Sequence, residues 1–422
     1  MHEAELLSKV ESPAALEPRE AASVVRSALD GFPVASQRVL CIIPDSTRTC
    51  PLPLMVEMLC AEATDAAALD FIVALGTHMP MDDAALSKLI GQNVVNGEFA
   101  GHTIYNHEFD NPAALAQVGT IPASEISRLS DGRMSLDVPV KLNRHLTEYD
   151  ALIVLGPVFP HEVMGFSGGN KYFYPGCAGA EMIDTTHWLG ALLTSRDIIG
   201  TMHTPVREMI NLAAAMIDKP KLLLAMVMHG ETIRGLHAGG MLGAWQSAAK
   251  HSESLDIVYV DDPFQRVISC VPEMYDDLWT GAKGMYKLEP AIADGGEVVI
   301  YAPHITEVSY VHGALLDEIG YHVRDYFLAQ WDKFKSYPWG ILAHSTHLRG
   351  GGTFIDGVET PRIQVTLATK IPRERCEAIG LGYLDPDTLN PDDFRGQEAD
   401  GIVVIDRAGE VLYRKRTEPK EL

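Results

Sequence analysis

A chain of 422 residues with 46% hydrophobic and 22% charged residues has the composition of a folded globular protein and the length for two cores. Its net charge of −23 disfavours nucleic acid and anionic membranes as partners, since both select basic surfaces. A small anionic ligand stays open, because local Arg and Lys side chains decide that.

Six cysteines (Cys41, Cys50, Cys60, Cys177, Cys270, Cys376) show no CxxC pairing, which predicts free thiols in a reducing compartment. The acidic opening MHEAELLSKVESPAALEP lacks a signal-peptide pattern, and no apolar run reaches about 18 residues. A cytoplasmic chain without a membrane span is expected.

In chain order, strands are predicted at RVLCIIPD (Arg38 to Asp45), DFIVALG (Asp70 to Gly76), DALIVLG (Asp150 to Gly156), KLLLAMVM (Lys221 to Met228) and LDIVYV (Leu255 to Val260). Helical patterns such as LPLMVEMLCAEA and DDAALSKLIG lie between them. This alternation predicts an α/β protein with a mostly parallel sheet flanked by helices. A second set of strands is read at EVVIYAP, GILAHSTH, IQVTLAT and CEAIGLG, with AKGMYKLEPAIA as a helix; GIVVIDRAGEVLYRKR reads as a hairpin turning at Arg407-Ala408-Gly409. The segment near residues 261–277 is taken as a boundary. The expectation is two domains, residues 1–265 and 266–422, each a mostly parallel sheet with helices, and an active site in the cleft between them.

Three predicted strand ends carry chemistry-bearing side chains. After the first comes PDSTRTCP, with Asp45, Ser46, Thr47 and Arg48 in a βα loop. Such loops attract anions, and a guanidinium can fork a carboxylate; equally, Asp45 or Ser46 could simply cap the next helix. ALGTHMPMDD places His78 directly after a strand, where a structural hydrogen bond is as natural as catalysis. GPVFPHEVMGFSGGNKYFYPGCAGAEMIDTTH follows the third, with ten residues from His161 to Lys171 and sixteen from Lys171 to His187. Strand ends of one parallel sheet gather ligands, and two histidines across one pocket suit a reaction needing a base on either face of a carbon.

Together these motifs resemble the nickel-pincer lactate racemase family: Asp45-Ser46-Thr47-Arg48, Gly76 to Met81, and Pro160 to His187. Trp279-Thr280-Gly281-Ala282-Lys283-Gly284-Met285 resembles the family's substrate-binding helix. The resemblance implies a nickel-pincer nucleotide (nickel with pyridinium-3-thioamide-5-thiocarboxylic acid mononucleotide) bound through Lys171, with His187 as the protein ligand to nickel. It implies His78 and His161 as paired acid/base residues, and Arg48 and Lys283, with Asp45 in an orienting role and Thr280 nearby, as the substrate-binding group. It implies a small anionic 2-hydroxy acid as substrate, cofactor-maturation enzymes as partners, and is compatible with a homo-oligomer. The glycines themselves suggest that Ser167-Gly168-Gly169 presents N–H groups to a cofactor phosphate.

The implied activity is racemisation or epimerisation by reversible hydride transfer from Cα. Met79 stands where the family often has Arg, and Trp279-Thr280 where it has Tyr-Gln. The segment Ser336 to Thr353 brings His344, His347, Arg349 and three glycines. It reads either as a surface strand and turn or as extra donors, Arg349 among them, for a substrate larger than lactate. Carboxylates at metal-ligand spacing are missing beside His344 and His347. His102, His107, His203, His229 and His237 are read as structural or surface residues. A nucleotide- or phosphate-ligand-binding protein or transferase without nickel chemistry is the alternative.

Overall fold

The computed structural model describes residues 2–416. By contact the chain groups into two compact units, and neither is a single stretch. The first holds the residues through Pro160, Phe166–Thr186 and Met202–Leu255; the second holds His161–Gly165, His187–Thr201 and the residues from Asp256 onward.

The first unit is built on an eight-stranded sheet. Across it run Leu6–Glu11, Thr232–Gly239, Lys221–His229, Ala151–Pro157, Arg38–Ile43, Ala68–Val73, His102–Asn106 and Glu98–Phe99. The central pairings, from Lys221–His229 to His102–Asn106, are parallel; the pairings outside them are antiparallel. Side chains alternate along a strand. Val39, Cys41 and Ile43 therefore pack with helices Pro18–Asp30 and Leu52–Glu62 in one core, while the equally buried Leu40 and Ile42 point to the other face. Burial on both faces is why these strands read as unbroken apolar runs.

The second unit carries a five-stranded, wholly parallel sheet in the order Gly382–Tyr383, Gln364–Thr369, Ile292–Ala302, Phe264–Cys270, Ile402–Ile405. The α/β class and the mostly parallel sheet are thus as the sequence indicates.

Four local readings are corrected. GILAHSTH lies in the helix Trp339–Arg349, not a strand, and CEAIGLG spans the end of the helix Arg373–Ala378 before a two-residue strand. The stretch near 261–277 contains Phe264–Cys270, an interior strand of the sheet, because its apolar Val267 and Ile268 are needed there. GIVVIDRAGEVLYRKR is no hairpin: Ile402–Ile405 joins Phe264–Cys270, whereas Leu412–Lys415 pairs in parallel with Ile257–Val260. LDIVYV consequently lies outside the large sheet. All six cysteines are free thiols. Among the described residues no helix is long and apolar enough to cross a membrane.

Candidate active site

In the first unit, the strands ending at Pro157, Ile43 and Val73 are direct neighbours, and their following loops carry the motif residues. The chain turns sharply after each strand. Gly76 adopts φ +57° and donates its N–H to the Gly176 carbonyl at 2.9 Å, tying the His78 loop to the Pro-Gly turn.

Asp45 is the organising residue of its loop. Its Oδ1 accepts from the Thr47 amide at 3.1 Å and the Thr47 hydroxyl at 2.6 Å, and its Oδ2 meets His78 Nδ1 in a short contact. It does not cap the next helix: Leu52–Glu62 begins after Pro51 without a side-chain cap. Burial pushes the Asp45 carboxyl up, but the hydrogen bond and charge of His78, the charge of Arg48 and the Thr47 hydroxyl outweigh it and hold it at about 2. A carboxylate on Nδ1 fixes a proton there and leaves the Nε2 lone pair of neutral His78 for an incoming proton. Arg48 lies over the Phe159 ring at 5.8 Å, with Nη1 donating to Thr47 Oγ1 at 3.1 Å. Met79, next to His78, is exposed.

The Gly-Gly turn is clamped from below. Arg207, buried in the helix Pro205–Ala215, donates to the Phe166 carbonyl and, at 3.1 Å, to the Gly168 carbonyl while stacking on Trp245 at 4.3 Å. Trp245 Nε1 donates to the Ser167 carbonyl at 2.8 Å. Ser167 Oγ donates to the Pro157 carbonyl and accepts from the Phe159 amide. Gly168, at φ +75°, has no room for a side chain: a Cβ would stand 2.6 Å from Val158 Cγ2. Lys171 leaves this turn on a short 3-10 helix, Gly169–Tyr172. A Cβ on Gly156 would stand 1.7 Å from the Tyr172 hydroxyl, so the glycine at that strand end makes room for the tyrosine next to Lys171. Arg207, Trp245 and Tyr172 escaped the sequence reading; only their burial against the motif reveals them.

The remaining motif residues group with the second unit. His161 is buried, its Nδ1 accepting from the Val163 amide at 3.2 Å and lying 3.4 Å from Glu162 Oε2. In the neutral ring this puts the proton on Nε2, the reverse of His78. His187 lies in the helix Ala180–Leu193. His347 is buried with neither ring nitrogen hydrogen-bonded, and burial, then the charge of His187, holds it at about 3. It lines a small cavity with Ser195, Glu289, Arg324, Thr346 and Gly350.

Lys283 Nζ lies 4.4 Å from the Tyr275 ring. Thr280 donates its amide and hydroxyl to Asp277, the cap of the helix Leu278–Gly281. Trp279 stacks on His344 at 3.8 Å and accepts from its Nε2 at 3.0 Å, so two unusual residues of this chain explain one another. Arg349, at the end of the helix Trp339–Arg349, is largely buried, with its Nε 3.8 Å from Glu359 and not hydrogen-bonded.

A sheet whose adjacent strand ends carry an Asp-backed histidine, an arginine and a clamped Gly-Gly-Asn-Lys turn defines a class of α/β protein. Residues 14–199 match the model of the lactate racemase N-terminal domain. Lactate racemases of Lactiplantibacillus plantarum and Thermoanaerobacterium thermosaccharolyticum are 23% identical over 270 residues and 25% identical over 282. Each match covers 63% of this chain, and the chain spans only 59% and 60% of the length of these two relatives. Residues 14–199 are thus lactate racemase-like, and the similarity to the curated enzymes runs over 63% of the chain. A crystal structure of a Thermotoga maritima protein is 33% identical with a TM-score of 0.85, covering 96% of this chain and all of that one. The lactate racemase apoprotein of Thermoanaerobacterium thermosaccharolyticum shares the fold at 18% identity and a TM-score of 0.71, over 96% of this chain and all of its own.

Proposed function

We propose that this chain is a racemase or epimerase of a 2-hydroxy acid that works with a nickel-pincer nucleotide. The observation that carries the reading is the Asp45–His78 pair, which joins two loops at neighbouring strand ends beside Arg48 within the stretch matched by the lactate racemase N-terminal domain. The residues present fit the cofactor. Lys171 offers an amine on a turn held rigid by Arg207, and His187 offers an imidazole donor suited to Ni(II) beside a buried, unsatisfied His347. When bound, such a group supplies an acceptor for the Cα hydride, the step the protein cannot perform itself.

The chain does the rest. Arg48 holds the substrate carboxylate, and Lys283 and Thr280 assist. His78, its Nδ1 proton pinned by Asp45, takes the hydroxyl proton at Nε2. His161, protonated before the step, gives one proton back and is left neutral. Ser167, Gly168 and Gly169 support the cofactor-bearing turn. We further propose a substrate larger than lactate, its distal polar groups met by Arg349, since Met79 is exposed where a cation is common. A site that pairs such groups discriminates against analogues lacking them.

Intact mass after co-expression with cofactor-building enzymes tests the attachment: an adduct on wild type, absent from Lys171→Ala, is expected. Racemisation screened over lactate, malate, aryl-lactates and sugar acids tests the substrate. Lactate turning over best, with Arg349→Ala unchanged, would overturn the larger-substrate reading. An adduct that survives Lys171→Ala would overturn the attachment.

A further inference from the structure

Outside the motif loops, Glu11, His237 and His251 converge at one edge of the large sheet. Glu11 ends the edge strand Leu6–Glu11, His237 lies on the neighbouring strand Thr232–Gly239, and His251 lies on the helix Met241–Asp256. We infer that these three side chains form a second metal site, a two-imidazole, one-carboxylate centre for a divalent cation of the zinc type.

The geometry supports it in four ways. His237 Nε2 and His251 Nδ1 are 3.3 Å apart. Two ligands of a tetrahedral ion, each about 2.0–2.1 Å from it, stand about 3.3–3.4 Å from one another. One donor atom from each of the three residues lies within 4.8 Å of the others, and Glu11 is exposed and long enough to close the remaining gap. His237 Nδ1 meets Ser247 Oγ at 2.9 Å; a proton placed there leaves the Nε2 lone pair for the metal, the outer support that ligating histidines generally have. Gly235, directly opposite Glu11 in the strand pairing, keeps the meeting point open. A Cβ there would stand 2.4 Å from His251 Nδ1 and 3.1 Å from His237 Nε2, and no positive φ explains the glycine.

Without metal the same groups satisfy one another: the rings hydrogen-bond, and Glu11 pairs with Lys9 at 2.8 Å. That exposed ion pair is weak enough for a divalent ion to displace. The exposed carboxylate gives the ion a path in, and water would complete the coordination. Bound metal would pin the edge strand to the helix.

The test uses the whole chain, expressed without cofactor-building enzymes, stripped with chelator and titrated with Zn(II) alone. Wild type should bind one equivalent more than His251→Ala, and Gly235→Ala, with all three ligands retained, should bind that equivalent at least about tenfold more weakly. Lys9→Ala should bind it more tightly. Co(II) in its place should give the strong visible absorption of four-coordinate cobalt, lost in His251→Ala. Circular dichroism checks that each variant is folded, with Glu11→Gln, at an exposed position, as the variant least able to perturb the fold. Zinc binding of equal stoichiometry and affinity in wild type, His251→Ala and Glu11→Gln would overturn the site and leave a hydrogen-bonded histidine pair.

Discussion

In the proposed mechanism the chemistry turns on how one buried carboxylate treats one half-exposed imidazole. Asp45 is 6% exposed, and its carboxyl is depressed to about 2 by contacts that only the folded chain makes. A carboxyl whose folded pKa lies below its unfolded value near about 3.9 adds stability above that value and loses it as pH falls toward about 2. Asp45→Asn should therefore cost about 1–2 kcal/mol at pH 7, an allowance that discounts for the half-exposed His78. In urea unfolding the gap to wild type should narrow between about pH 4 and 2; a constant gap would mean the charge is irrelevant. On activity, His78→Ala and Asp45→Asn should both lose turnover, the first by about 10²–10⁴-fold, the usual span for a positioned base. His78→Ala should still take up nickel, whereas His187→Ala should not. Wild-type racemisation by His78→Ala would end the two-base scheme.

At the scale of elements, the Gly-Gly turn shows which parts of a site a sequence can reveal. Ser167, Gly168 and Lys171 stand in one contiguous glycine-marked stretch after a strand, so the turn itself was legible. The side chain that holds their backbone comes from Arg207, thirty-nine residues beyond Gly168, and no local pattern marks it. Burial lowers the Arg207 guanidinium to about 9, so it remains a cation at neutral pH and its two carbonyl partners depend on it. Arg207→Ala removes the guanidinium from both and leaves the Gly168 carbonyl with only the Lys171 amide at 3.3 Å, a loss of about 2–4 kcal/mol. Amide exchange should accelerate at residues 166–172 ahead of the rest of the first unit. Exchange unchanged there would show that the turn holds itself.

The parallel strands were legible for a related reason. Burial on both faces makes Arg38–Ile43 and Ala151–Pro157 plain apolar runs. The helix Trp339–Arg349 was not, because Ile341 to Leu348 are all buried and its polar members sit inside with the apolar ones. Its ends did carry signals: Pro338 before the first turn and Gly350, at φ +81°, after the last. Weighing them above the short apolar run would have found the helix.

For the whole molecule, the buried histidines set the response to acid. Burial holds His107 and His237 near 4 and His344 and His347 near 3, and His251 moves the same way. Each falls below the ordinary value near about 6.5. Between these limits the unfolded chain binds protons that the folded chain refuses. Stability must therefore rise with pH across the window and fall as pH drops from about 6.5. Four such groups give a slope of roughly 5 kcal/mol per pH unit near pH 5, far larger than Asp45 contributes there. Metal-free, cofactor-free protein should accordingly take up protons when urea unfolds it at pH 5.5. His107 is the clean probe, since its ring is held by the Ala178 carbonyl at 2.9 Å and lies outside both proposed metal centres. Potentiometry on His107→Gln should count about one proton fewer than wild type. Equal uptake by the two proteins would mean that His107 already carries its charge in the folded state, and that the acid sensitivity lies elsewhere.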